Sequence, residues 1–250
     1  LAGGLIDLVR DAVDDRLAAA REELDGLLGG LVAAEQTDLL VVAAVSDRRG
    51  EDIVEAVDSL KRFCRRHNDM SAYYFGWSQY IQTLVNEDST MVQGKAELES
   101  MMREASDEDN NYGKIQCYRR LSHYYMKLHL WDTALLQNKE AIELTELTYP
   151  NNHNLPVYYL DNARICEAKH DYAAAYDYLQ KSLNMQDDKL HKLQALALRC
   201  RLDALTGDYN SICKTYNEAM SDNEMVRQGQ NTHFIYILRF YYNLASPDFE

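Results

Sequence analysis

The stretch YYMKLHLWDTALLQNKEAIEL, residues 124–144, reads as two helices joined by a turn, and whether it recurs decides the fold. Trp131 opens the second helix, Ala134 follows three residues later and Ala141 seven beyond that. Residues at these steps share one helix face. A small side chain there lets a neighbouring helix approach closely, and a large one wedges against it.

The same order of a large apolar residue, a small one three on, an apolar one seven on and a compact or apolar one ten on appears elsewhere. It is found at Leu17-Ala20-Leu24-Leu27, Ile53-Ala56-Leu60-Phe63, Met91-Gly94-Leu98-Met101 and Tyr172-Ala175-Leu179-Ser182, and at Tyr209-Ile212-Tyr216-Ala219 with Ile212 replacing the small residue. In the opening stretch Asn138 departs from the apolar position. From Ala20 to Ala56, Gly94, Ala134, Ala175 and Ile212 the intervals are 36, 38, 40, 41 and 37 residues. A second helical run precedes each later match, at roughly 31–46, 69–86, 112–128, 153–169 and 189–205, so the unit is a helical hairpin. Turn-forming clusters separate the units, as in SDEDNN at 106–111, YPNNHNLP at 149–156 and SDNE at 221–224. A single hairpin cannot bury both its faces, so hairpins at this period stack; the expected fold is all-α, an α-solenoid.

Composition agrees. Three prolines and eleven glycines in 250 residues leave few helix breakers, and the 46% apolar content is ample for a core. A net charge of −14 argues against a nucleic-acid partner, which demands clustered Lys and Arg. The nearest approach to a membrane span, DLLVVAAV at 38–45, is too short to cross a bilayer. The chain starts at Leu1 without the basic and apolar regions of a secretory leader, and the missing initiator Met points to a piece of a longer protein. Five dispersed cysteines lack paired spacing and are expected to be buried small residues rather than disulfides or zinc ligands. Phosphate-loop, dinucleotide, metalloprotease and nucleophile-elbow motifs are absent, so no catalytic residue, cofactor or metal is expected.

Residues 1–50 lack Tyr, Phe, Lys, Asn, Met, Cys and His and hold six of the glycines, although helical periodicity continues through Leu5, Leu8, Val9, Val13 and Leu17. The expected organisation is a compositionally distinct helical segment at 1–50, either a degenerate repeat or a fused segment, then repeats over 51–220 and the first helix of an incomplete repeat over 221–250.

Tyr118, Leu121, Ser122, Tyr125, Trp131, Ala134 and Ala141 match in order and spacing the signature of the two helices, A and B, of the tetratricopeptide repeat (TPR), which this chain resembles over 51–220. HDYAAAYDYLQKSL at 170–183 and TGDYNSICKTYNEAM at 206–220 are further matches. With units longer than the consensus and polar loops between them, the array looks most similar to the TPR input regions of bacterial sensor kinases and membrane-tethered transcriptional regulators. The resemblance implies a right-handed solenoid and a non-catalytic protein-interaction or sensory role in a larger bacterial signalling protein, outside the cytoplasm. Two other roles compete: a free-standing intracellular adaptor, and a small-molecule binder or enzyme using a tyrosine-lined cleft.

In TPR proteins helix A lines the inner wall that grips peptides, and the candidate groove residues follow from that placement. Counting back from Trp131, Tyr172 and Tyr209 puts His123, Arg164 and Arg201 at one equivalent position, with Arg119 and Arg120 a turn earlier and Met126 beside them. On an acidic chain such a stripe suits a carboxylate or an acidic peptide; its structural alternative is ion pairing with Asp161, Glu167 or Asp203. The asparagines of the TPR carboxylate clamp are missing, since those positions hold Arg120, His123, Asp161, Arg164, Leu198 and Arg201. Finally, HFIYILRFYYNL at 233–244 is an apolar helix A without a following helix B, so either a continuing chain or a homodimer is expected to cover it.

Overall fold

The computed structural model describes residues 57, 61–62, 64–66, 69–185, 188–222 and 232–245. The expectations for 1–50 and for Ile53, Ala56, Leu60 and Phe63 lie outside the described residues. The chain divides into two compact units, Leu1–Tyr80 and Ile81–Glu250, with the division inside the first long helix. Everything below concerns the second unit unless a residue before 81 is named.

The described residues are all-α and contain no strand. The helices are α1 (Met70–Asn86), α2 (Met91–Asp107), α3 (Asn111–Lys127), α4 (Trp131–Thr148), α5 (Leu155–Ala168), α6 (Tyr172–Met185), α7 (Lys189–Thr206), α8 (Tyr209–Ser221) and α9 (Thr232–Ala245). None is long and apolar enough to cross a membrane. Several starts carry side-chain caps that satisfy otherwise orphaned amides: Asn110 accepts from Gly113 N at 2.8 Å, Asp188 from His191 N at 2.8 Å and Asp208 from Ser211 N at 3.1 Å. Pro156 stands in the first turn of α5, where its missing N–H costs nothing.

The turns repeat as well. Asp109, His129, His170 and Gly207 all have positive φ, between 47° and 80°. After each, the next amide reaches back across the turn, as Leu130 N does to Tyr125 O at 2.9 Å and Asp171 N to Cys166 O at 2.9 Å. These are left-handed helix stops, and two of them are occupied by histidine at equivalent turns. Each histidine also meets the aromatic residue that opens the next helix, His129 with Trp131 at 5.2 Å and His170 with Tyr172 at 6.0 Å between ring centres.

Every small position of the sequence pattern within α2, α4, α6 and α8 is buried: Gly94, Ala134, Ala175 and, in the larger variant, Ile212. So are Met101, Ala141, Ser182 and Ala219. A methyl group added at Gly94 would stand 2.9 Å from Val85 Cγ2 and 3.1 Å from Leu84 Cβ, so this crossing needs a glycine. Asn138, the departure from the pattern, is buried and donates to Tyr158 O at 2.7 Å and Asn162 Oδ1 at 2.8 Å. It replaces apolar packing with a hydrogen-bonded tie from α4 to α5.

From α2 to α9 each helix packs on the next in the chain, most extensively within the pairs α3/α4 and α5/α6. The core is correspondingly a series of three-helix clusters. Ile115, Ile142 and Tyr158 join α3, α4 and α5; Leu160, Leu179 and Leu198 join α5, α6 and α7; Leu196, Ile212 and Leu238 join α7, α8 and α9. A hairpin plus the first helix of the next hairpin is thus the packing unit. Cys117, Cys166 and Cys200 are buried in these layers, and burial pushes the Cys117 and Cys200 thiols up to about 12.

Tyr158 and Tyr159 are core residues, whereas Tyr124, Tyr125, Tyr241 and Tyr242 are half-buried. On α9, Ile235 and Leu238 face the last cluster and Tyr241 packs at its margin. Tyr236, Phe240 and Leu244, four residues apart, form an exposed apolar stripe on its other side.

Candidate functional site

The first helix of each hairpin is tied to the first helix of the next by side chains about one repeat apart. Arg120 Nη1 and His123 Nδ1 on α3 both reach Gln82 Oε1 on α1, the latter at 3.0 Å. His123 Nε2 lies 3.3 Å from Asp161 Oδ2 on α5. Arg164 on α5 donates from Nη1 to Asp161 Oδ1 at 3.0 Å and from Nη2 to Gln194 Oε1 on α7 at 3.1 Å. Arg201 on α7 then returns to Glu167 on α5. A polar ladder therefore runs across α1, α3, α5 and α7. Lysines join it from the helix ends, with Lys127 pairing with Asp88 and Lys169 with Asp132.

The hub is Asp161, whose side chain is only 7% exposed. Arg164 occupies one of its oxygens and His123 the other, while Arg119 Nη2 stands 3.9 Å away, an ion-pair separation beyond hydrogen-bond reach. Burial would raise the carboxyl's pKa. The hydrogen bond and charge of His123 and the charges of Arg164 and Arg119 outweigh it and hold the group well below the usual carboxylate range.

The sequence matches no protein-family model and no curated protein. What the wall can do follows from its own residues.

Of the six candidates, Arg119, His123 and Arg164 converge on Asp161, and Arg120 lies behind them. Arg120 is buried, and loss of hydration together with the charge of Arg119 lowers its guanidinium to about 9. Met126 is half-buried on α3, three residues beyond His123, and its thioether offers apolar contact rather than charge. Arg201 does not join the hub; it pairs with Glu167 and is half exposed. Asp203, named above as an ion-pair partner, instead accepts from Tyr176 Oη at 2.5 Å, and burial raises its pKa. Among the described residues no cluster of His, Cys, Asp and Glu could hold a metal ion.

Two residues of the ladder, Gln82 and Gln194, were not singled out from sequence, and Asp161 and Glu167 were named only as ion-pair partners. Their signal is their register, each falling on a first helix opposite a cation one repeat away. Polar residues on solvated helix faces are too common for that register to identify them without contacts.

Arg119 is poorly satisfied within the cluster. Arg119 lays its guanidinium on the Tyr158 ring, 4.2 Å from the ring centre, and its side chain is 15% exposed. Its Nε is buried with no hydrogen-bond partner. Around the hub, Arg119, Arg120 and Arg164 face one carboxylate, an excess of cations in a chain of net charge −14. Such a locally positive wall draws anions.

Proposed function

We propose that the chain is a right-handed TPR-like α-solenoid with no catalytic role, a protein-interaction or sensory module of a larger bacterial signalling protein whose first-helix wall binds an acidic peptide. The repeated turns, the buried small positions and the ladder between successive first helices support the solenoid. Arg119 carries the binding role: an arginine mostly removed from water, not hydrogen-bonded to Asp161, the one carboxylate beside it among the described residues, is stabilised when a partner supplies another. Carboxylates meet guanidinium groups in charge-assisted, often two-pronged hydrogen bonds, and each such bond to a charged group contributes about 1.5–3 kcal/mol.

The test is titration of a fluorescent hexaglutamate peptide against the wild type and the Arg119→Gln and Arg164→Glu variants, with uncharged hexaglutamine as control. Binding of hexaglutamate alone, weakened roughly tenfold or more in each variant, is the expected result. Equal affinities for the two peptides, or variants that bind like the wild type, would remove the acidic-peptide function. A homodimer through the α9 stripe is the second partner proposal, supported by the exposure of Tyr236, Phe240 and Leu244.

A further inference from the structure

His123 projects from α3 between α1 and α5, and both ring nitrogens meet oxygen: Nδ1 is 3.0 Å from Gln82 Oε1 and Nε2 is 3.3 Å from Asp161 Oδ2. Neither oxygen can donate. Asp161 stays ionised, for the reasons given above, so its oxygen only accepts. Gln82 could in principle turn its amide and offer N–H, but both ends of that amide are held. Its Oε1 accepts from Arg120 Nη1, and its Nε2 donates to Asn86 Oδ1 at 2.7 Å. A guanidinium has donors only, so a turned amide would set donor against donor.

A neutral imidazole has one N–H and one lone pair and makes one of the two contacts; an imidazolium makes both. We propose that His123 is a proton-operated clasp, joining α1 to α5 across α3 when doubly protonated and releasing one of them when neutral. Histidine is the side chain whose charge ordinarily changes between about pH 5 and 8. The groups facing the ring are Gln82 from α1, Asp161 and Arg164 from α5, and Arg119 and Arg120 from its own helix. Among the described residues, α2 and α4, which also pack on α3, send no charged group into contact with it.

Beside the ring stand the negative charge of Asp161 and the positive charges of the three arginines. A further negative charge on the wall tips this balance toward protonation, and by linkage protonation tightens the hold on that charge by the same factor. This last step rests on the proposed acidic-peptide function, whereas the clasp does not.

The test is nuclear magnetic resonance of the full chain with 15N-labelled histidine and glutamine side chains, titrated between about pH 5 and 8 without ligand. The expected result is a His123 ring with both nitrogens protonated at the acidic end. Loss of one proton on raising the pH should move the Gln82 side-chain amide signals and lower the amide protection factors, exchange relative to the intrinsic rate at each pH, in α1, α3 or α5. In Gln82→Met, which keeps bulk but removes the acceptor, His123 should still titrate without the coupled change in α1. A ring that stays in one neutral tautomer throughout, or that titrates while the Gln82 signals and the amide protection factors stay fixed, would overturn the clasp. Hexaglutamate binding at both ends of the range then separates the two ideas. The expected result with a working clasp is binding about fivefold or more tighter at the acidic end. No binding at either end removes the groove function and leaves the clasp standing, and equal binding at both ends refutes the linkage.

Discussion

Replacing Asp161 by Asn keeps the shape of the hub and removes its only negative charge. Both carboxylate oxygens are in use, one by Arg164 at 3.0 Å and one by His123 at 3.3 Å, with Arg119 at 3.9 Å. The amide retains one acceptor, so at least one contact is lost and the guanidinium groups face each other without a counter-charge. Breaking a buried ion pair from one side costs about 3–5 kcal/mol. The partners here are 15–34% exposed, so solvent screens part of the repulsion and about 3 kcal/mol, the low end, is expected. For a unit the size of Ile81–Glu250 this lowers Tm by about 6–12 °C. Thermal and urea unfolding followed by circular dichroism measure it at pH 7. The sign with pH is fixed by the depressed folded pKa of Asp161. Its stabilisation is present above the unfolded value near about 3.9 and is lost as pH falls through the folded value. The deficit of the variant should therefore be full at neutral pH and shrink below about pH 4. A loss under about 1 kcal/mol, or one independent of pH down to the acid limit, would refute the account of Asp161 as the wall's charged hub.

Three further changes probe the scaffold and its edge. Gly207→Ala should cost about 1 kcal/mol by urea unfolding, since its φ of 80° disfavours a Cβ although nothing lies within 4 Å; His170→Gly, at φ 62°, should be neutral or slightly stabilising at the equivalent turn. Asn138→Leu restores the apolar pattern and leaves Tyr158 O its place in the α5 ladder, but it takes the donor from Asn162 Oδ1, so a loss of about 1–3 kcal/mol in the same assay is expected. Phe240→Glu, on a side chain 62% exposed, should leave Tm close to that of the wild type; if α9 pairs two copies, it converts a dimer to a monomer in sedimentation.

Helix positions, turn positions and the repeat period were legible in the residues. Each is set by local chemistry: the spacing of Trp131, Ala134 and Ala141 defines a face, and Asn110, Asp188 and Asp208 cap the helices that follow them. The helices expected at 112–128, 153–169 and 189–205 are observed as Asn111–Lys127, Leu155–Ala168 and Lys189–Thr206. Only tertiary contacts decided what the basic residues do. Arg164 and Arg201 occupy equivalent positions in the repeat, yet one joins Asp161 and Gln194 while the other pairs with Glu167. Arg120 and His123 meet at Gln82, some forty residues away in the chain. The apolar pattern repeats because every hairpin meets the same packing problem. The polar partners do not repeat, because a long side chain can turn to any of several neighbours, and the nearest one of opposite character is known only once the helices lie side by side.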